Sequence, residues 1–273
     1  MSNFNETEQI VIVGDSAGGL GGYDQSSIAG NKGTEKVQVL SYVQTRGSVP
    51  VYWAEVNNLS YTPKLQIRGV DIAANAARTH FDEQIRLYGD NYLVNLVNQK
   101  GREEKVKVAY EQMMRLVSSP GKSKEVSEKP SERFREIEPT EKGQNVDRLH
   151  YVYFDFHHKC KGLKWHRALL LLDKLGDGLL EQKYFHSIEG GVTSTVQSYQ
   201  QSVVRTNCMD CLDRTNVIQS MLARWTLNQQ MVDIGVLSPG ENVESFENFE
   251  FIFRNSTFPP STLILILTGF SMG

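Results

Sequence analysis

"VVRTNCMDCLDRTNVIQSML", residues 203–222, passes from a β-branched pair into a polar loop and out again into Val217, Ile218, Met221 and Leu222, which recur at helical spacing. A strand that feeds a loop and then a helix N-terminus is the local form of an α/β layer. The loop holds two of the three cysteines in the chain and reads in two ways. Cys208 and Cys211 form a Cys-x-x-Cys pair, which suits a metal or a thiol redox couple. Cys208 and Arg214 form a Cys-(five residues)-Arg loop, which suits phosphate.

The phosphate reading gives more of these residues a role. A phosphoryl group needs inward-facing backbone N–H groups, a positive dipole end and a planar fork of donors. A loop closing onto a helix N-terminus supplies the first two and Arg214 the third. The same surroundings stabilise a Cys208 thiolate, which can attack phosphorus in line and form a phosphocysteine with no metal or other cofactor. Thr215 is placed to donate to the thiolate or to substrate. The loop also carries Asp210 and Asp213, two carboxylates beside a site for a dianion. One of them, held protonated, would be the general acid for the leaving alcohol, and the other would pair with Arg214. The zinc reading would have to borrow His157, His158 and Cys160 from one distant segment, and the redox reading leaves Arg214 and Thr215 idle.

Around this loop the chain alternates strand and helix patterns. Residues 4–14 read as a strand and 14–34 as a flexible Gly/Ser-rich loop; no amphipathic helix follows its glycines, so a dinucleotide fingerprint is not supported. Residues 35–56 read as two strands joined through Arg46, Gly47 and Ser48 as a hairpin. In 69–89 the helical face is Ala73, Ala76, Ala77, His80, Phe81, Ile85 and Tyr88, with Asp71 as N-cap and Gly89 as stop. A short strand at 92–98 precedes a helix at 103–117 built on Val106, Ala109, Tyr110, Met113 and Val117. Residues 118–146 contain six acidic and six basic residues and three prolines with few apolar ones, so they are expected to be a disordered insertion. An interior strand at 149–156, a helix carrying Trp165, Leu169 and Leu172, and a strand-like 192–204 lead back to the loop. The helix after it sets Val217, Ile218, Met221, Leu222, Trp225 and Val232 on one face. The expected fold class is α/β: a mixed central sheet flanked by helices, with the phosphate loop between a strand and a helix N-terminus.

Composition limits the partners. At 273 residues and 40% apolar content the chain can fill a core, and a net charge of −3 argues against a global nucleic-acid binder. Three cysteines are no disulfide framework. The longest apolar run, 263–270, is shorter than a membrane span, so no transmembrane segment is expected. An anionic substrate must therefore meet a local basic cluster. "HHKCKGLKWHR" (157–167) and "NQKGR" (98–102) follow two strands, where α/β sheets place their sites. Lys100 and Lys159 are the cations expected to face a lipid headgroup or an anionic membrane surface.

At these residues the chain resembles the catalytic half of a Sac-domain phosphoinositide phosphatase, most closely the fungal integral-membrane members. "FNETEQI", "SYVQTRGSVPVYWAEV", "HFDEQIRLYGDNYLVNLVNQKG", "YVYFDFHHKC" and "RTNCMDCLDRTNVIQS" occur in the family's order. The resemblance implies metal-independent hydrolysis of phosphatidylinositol monophosphates, chiefly the 4-phosphate and also the 3-phosphate, with Cys208 as nucleophile and Arg214 binding phosphate. It also implies action at the cytosolic face of endoplasmic reticulum and Golgi membranes; protein partners stay open.

By the same resemblance, residues 1–255 form a partial catalytic domain, truncated at both ends, and 256–273 an atypical tail whose "LILIL" is an aggregation hazard. A catalytically incompetent fragment is the competing expectation, with a thiol redox protein behind it. Oxidation could also join Cys211 to Cys208 reversibly.

Overall fold

The computed structural model describes residues 4–14, 36–56, 63–118, 146–162, 164–190, 193–209, 213–245 and 262–268. The expected loop at 14–34, the charged insertion at 118–146 and most of the tail lie outside these residues, as do Asp210 and Cys211.

The described chain is a mixed α/β structure that divides into two units. In the first, β9 (Ser202–Asn207) is buried along its whole length. It runs parallel to β5 (Asp90–Asn95) on one side and to the last residues of β2 (Lys36–Gly47) on the other, and β6 (Leu149–Tyr153) continues the parallel order beyond β5. A strand covered on both faces can be apolar without alternation, as in Val203 and Val204. Three of its polar residues, Arg205, Thr206 and Asn207, are equally buried and are gathered at its C-terminal end.

Helices α1 (Val70–Tyr88) and α2 (Glu104–Ser118) cover one face. Ala73, Ala77 and Phe81 of α1 meet Val106, Tyr110 and Met113 of α2 over Leu93 and Tyr151. Small alanines at helical spacing let the two helices approach closely over the sheet. The other face takes α4 (Leu172–Gln182), where a Cβ on Gly178 would lie 2.4 Å from the Tyr92 ring. Gly89 ends α1 at φ 79°, and a Cβ there would lie 2.1 Å from the Gln201 carbonyl oxygen; both the backbone conformation and the space require glycine.

In the second unit β1 (Phe4–Gly14) pairs in parallel with β10 (Thr262–Thr268), whereas β7 (Phe185–Gly190) is antiparallel to both the first part of β2 and β8 (Thr193–Ser198). Val11, Val13 and Leu40 pack with Ala223, Leu227 and Met231 from the C-terminal part of α5 (Asp213–Asp233). The strand at 262–268 thus has a hydrogen-bonded partner, which the sequence reading of the tail did not foresee.

Several local expectations are corrected. Residues 36–55 are not a hairpin: β3 (Trp53–Glu55) pairs antiparallel with β4 (Leu65–Ile67) in a separate ribbon. The N-cap of α1 is Gly69, not Asp71, which lies in the first turn. Ala76 is exposed and Ala74 takes its place in the core. The segment at 165–182 begins as a 3-10 turn and becomes α4 only at Leu172, so Leu169 is exposed while Leu171, Leu175 and Leu179 are buried. In α5 the buried stripe is Ile218, Leu222, Ala223, Leu227 and Met231, and Val217, Met221, Trp225 and Val232 flank it, only partly buried.

Candidate active site

The C-terminal ends of β9, β5 and β6 lie side by side, with Asn207 opposite Asn95 and Asn95 opposite Tyr153. The ladder extends past them, since the Leu96 N–H donates to the Asn207 carbonyl at 2.8 Å and the Phe154 N–H to the Asn95 carbonyl at 3.0 Å. Cys208 follows β9 directly and is 2% exposed. Beneath this edge runs a buried polar chain: Asn207 Nδ2 donates to Asn95 Oδ1 at 3.0 Å, and Asn95 Nδ2 donates to the Tyr151 hydroxyl oxygen at 2.9 Å. Burial drives the Tyr151 hydroxyl well above its ordinary pKa, which keeps it a neutral hydrogen-bonding group. Asn95 Oδ1 also accepts from the Val97 N–H at 3.2 Å.

Helix α5 starts at Asp213, and its first turns are tied to the end of β2: Arg46 donates to the Asn216 side chain, and Gln44 Nε2 to the Gln219 carbonyl at 3.1 Å. Thr215 is fully buried. Arg214 reaches across to the segment after β5. Its Nη1 and Nη2 donate to the two carboxylate oxygens of Glu103 at 2.7 and 2.8 Å, and Nη1 also donates to the Leu96 carbonyl at 3.1 Å and to Asn98 Oδ1 at 3.4 Å. This is the two-pronged guanidinium–carboxylate pairing that fixes both direction and plane. Glu103 also accepts from the Asn98 N–H at 2.7 Å. Burial pushes its carboxyl up, but the Arg214 hydrogen bond, the Asn98 amide and the charges of Arg214 and Arg102 outweigh it and hold the group below the usual carboxylate range.

Among the described residues the carboxylate on Arg214 is Glu103, a residue the sequence reading left unassigned, and Asp210 lies outside them. Asp213 is exposed in the first turn of α5. The available signal was position: Glu103 closes the short 3-10 turn Gly101–Glu103, directly before α2 and just beyond a strand that neighbours β9. Lys100 is exposed in the same segment, whereas Arg102 is paired with Glu55 at 2.9 Å. Lys159 is half-buried in the short helix α3 (Phe156–Lys159), after β6, where the Asp155 side chain caps the His158 N–H at 3.1 Å. Topology thus brings Cys208, Lys100 and Lys159 to one edge of the parallel strands. Among the described residues no three His, Cys, Asp or Glu side chains converge as metal donors.

Also within the loop motif, Arg205 is fully buried in β9; its Nη2 donates to the Ser48 carbonyl at 2.9 Å. Its charge adds to burial in depressing His80, which is pushed down to about 4, so that imidazole is neutral at pH 7.

These elements define an α/β protein in which a cysteine and an arginine bracket the passage from a buried parallel strand to a helix N-terminus. Comparison with known proteins is in agreement. The SacI homology domain matches residues 1–161. The phosphatidylinositol-3-phosphatase SAC1 of Saccharomyces cerevisiae is 43% identical over 247 residues, which covers 89% of this chain and 32% of that protein. The SAC1 phosphatase of Drosophila melanogaster is 36% identical over 241 residues, 86% of this chain and 36% of the relative. The phosphoinositide phosphatase SAC6 of Arabidopsis thaliana is 32% identical over 254 residues, 93% of this chain and 34% of the relative. The chain belongs to the SacI homology family, and it spans about a third of the length of these curated relatives.

Proposed function

We propose that this chain is a phosphoinositide phosphatase that hydrolyses phosphatidylinositol monophosphates, chiefly the 4-phosphate and also the 3-phosphate, through a phosphocysteine. The observation that carries the reading is Arg214, in the first turn of α5 and oriented by Glu103, on the same sheet edge as Cys208. In the first step the Cys208 sulfur bonds to phosphorus as the phosphorus–oxygen bond to inositol breaks, and the leaving oxygen takes a proton from Asp210 or Asp213. In the second, water attacks phosphorus and gives a proton to the aspartate left ionised by the first step, the sulfur–phosphorus bond breaks, and thiolate and inorganic phosphate are released. Arg214 binds the equatorial oxygens and Thr215 hydrogen-bonds at the sulfur or the phosphate. The thiolate is the nucleophile, so no step requires a metal-bound water. The relatives' names support the lipid substrate. The family resemblance supports action at the cytosolic face of endoplasmic reticulum and Golgi membranes; among the described residues no helix is long and apolar enough to cross a membrane.

The test is phosphate release from vesicles containing phosphatidylinositol 4-phosphate in excess EDTA, with the thermal melt recorded in parallel. Undiminished release is expected. A folded chain without turnover would favour the incompetent fragment, and loss of turnover restored by added metal would remove the proposed chemistry.

Lys100 and Lys159 are proposed to meet the headgroup. Changing both to alanine is expected to raise KM for vesicle substrate about tenfold or more, because each cation near an anionic surface contributes on the order of 1 kcal/mol. Unchanged KM and kcat would assign both lysines to the solvated surface.

A further inference from the structure

Residues 156–172 contain four Lys or Arg and three His and no carboxylate, in a chain whose net charge is −3. Lys161, Lys164, His166 and Arg167 are exposed. Directly after them Leu169 is 53% and Leu170 44% exposed, while Ala168 and Leu171 on either side are buried. The 3-10 turn Trp165–Leu171 is therefore anchored by two residues and presents two leucines outward beside a block of cations.

The place of this turn follows from α4. At its far end the Gln182 carbonyl accepts from the Gln201 N–H at 2.8 Å, and Gln182 Nε2 donates to the Ser202 carbonyl at 2.7 Å, which puts that end of α4 at the start of β9. Eleven helical residues of α4 cover about 16 Å and six strand residues of β9 about 20 Å, so the two elements have similar lengths. With the ends of α4 and β9 tied there, and with α3 leading in from the end of β6, the turn at the start of α4 lies at the sheet edge that carries Cys208.

We propose that this turn docks the protein on an anionic lipid bilayer, with Leu169 and Leu170 entering the interfacial layer and Lys161, Lys164 and Arg167 meeting the headgroups. Charge complementarity selects the partner. An unbalanced cationic block flanking a short apolar projection matches the layered bilayer interface, where anionic groups lie outside the hydrocarbon. Leu180, 61% exposed at the opposite end of α4 and next to Glu181, lacks that setting. The lipid-phosphatase reading contributes only the choice of a membrane as the natural surface; the docking itself does not require turnover.

The full chain is sedimented with phosphatidylcholine vesicles, with and without phosphatidylserine, and its hydrolysis of a soluble short-chain phosphatidylinositol 4-phosphate is measured separately. Wild type is expected to sediment with the anionic vesicles, and less as salt rises. The double variant Leu169→Asp, Leu170→Asp is expected to lose at least about tenfold in that affinity with soluble turnover unchanged. Leu180→Asp is expected to bind as wild type does. Equal binding by the double variant, an equal loss in Leu180→Asp, or no binding by wild type would each overturn the proposal. Leucine-dependent binding without turnover on the soluble lipid would uphold docking and count against the phosphatase reading alone.

Discussion

Changing Cys208 to serine is expected to lower phosphate release by about a thousandfold or more, the scale on which loss of a covalent nucleophile reduces turnover. The hydroxyl is close in size to the thiol, and Cys208 sits at 2% exposure immediately after β9, so this conservative change should leave the fold in place. A serine hydroxyl in the same place is not ionised near neutral pH, and the attack on phosphorus is lost for that reason. The comparison needs two readings from one preparation: turnover on phosphatidylinositol 4-phosphate and the thermal midpoint. Activity that persisted in a folded Cys208→Ser protein would move the nucleophile elsewhere in the chain.

Changing Glu103 to glutamine has the second largest expected effect, and it acts on both stability and turnover. The carboxylate holds Arg214 through both Nη groups, and the pair is largely removed from solvent, with side-chain exposures of 11% and 19%. Removing one partner of such a pair leaves a guanidinium without its counter-charge, which costs about 3–5 kcal/mol when the site is fully buried and somewhat less at this exposure. Arg214 then loses its fixed plane, and kcat is expected to fall by about tenfold to a hundredfold, the sensitivity of positioned catalytic groups to small displacements. A merely structural role would change the melting temperature and leave kcat per folded molecule alone. Glu103→Asp, which keeps the charge, is expected to recover part of the loss.

The pH dependence of that stability has a definite sign. The Glu103 carboxyl is held below its ordinary range in the folded protein. Its contribution is therefore complete above the unfolded-state value for glutamate, about 4.3, and falls away as pH drops through the lower folded-state value. The stability difference between wild type and Glu103→Gln should be constant from neutral pH down to about 5 and shrink below it. Urea unfolding midpoints across that range provide the check; a difference that grew on acidification would contradict the ion-pair account.

The candidate site could be proposed from sequence because its residues are compressed into one stretch. Cys208, Arg214 and Thr215 fall within eight residues, and the strand before them and the helix after them have clear hydrophobic patterns. Helix α2 was read nearly residue for residue, since Val106, Ala109, Tyr110, Met113 and Val117 keep one period and are all buried. The hairpin at 36–55 was misread because a hairpin and two strands bound for different partners have the same local pattern. Only the pairing of β3 with β4 distinguishes them. The 161–179 segment was read as one helix because a leucine run is apolar at every period, so nothing local separates the 3-10 turn from α4.

Residue order alone established the α/β class, the strand–loop–helix passage and the cysteine and arginine that bracket it, because these depend on interactions among neighbours in the chain. The partner of Arg214 did not follow from residue order. Asp210 and Asp213 are nearest in the chain, but Asp213 points to solvent and the guanidinium lies against Glu103, 111 residues away. The parallel pairing of β5 with β9 makes that choice by bringing two C-terminal strand ends to one edge, where a buried guanidinium must meet whichever carboxylate the neighbouring strand delivers.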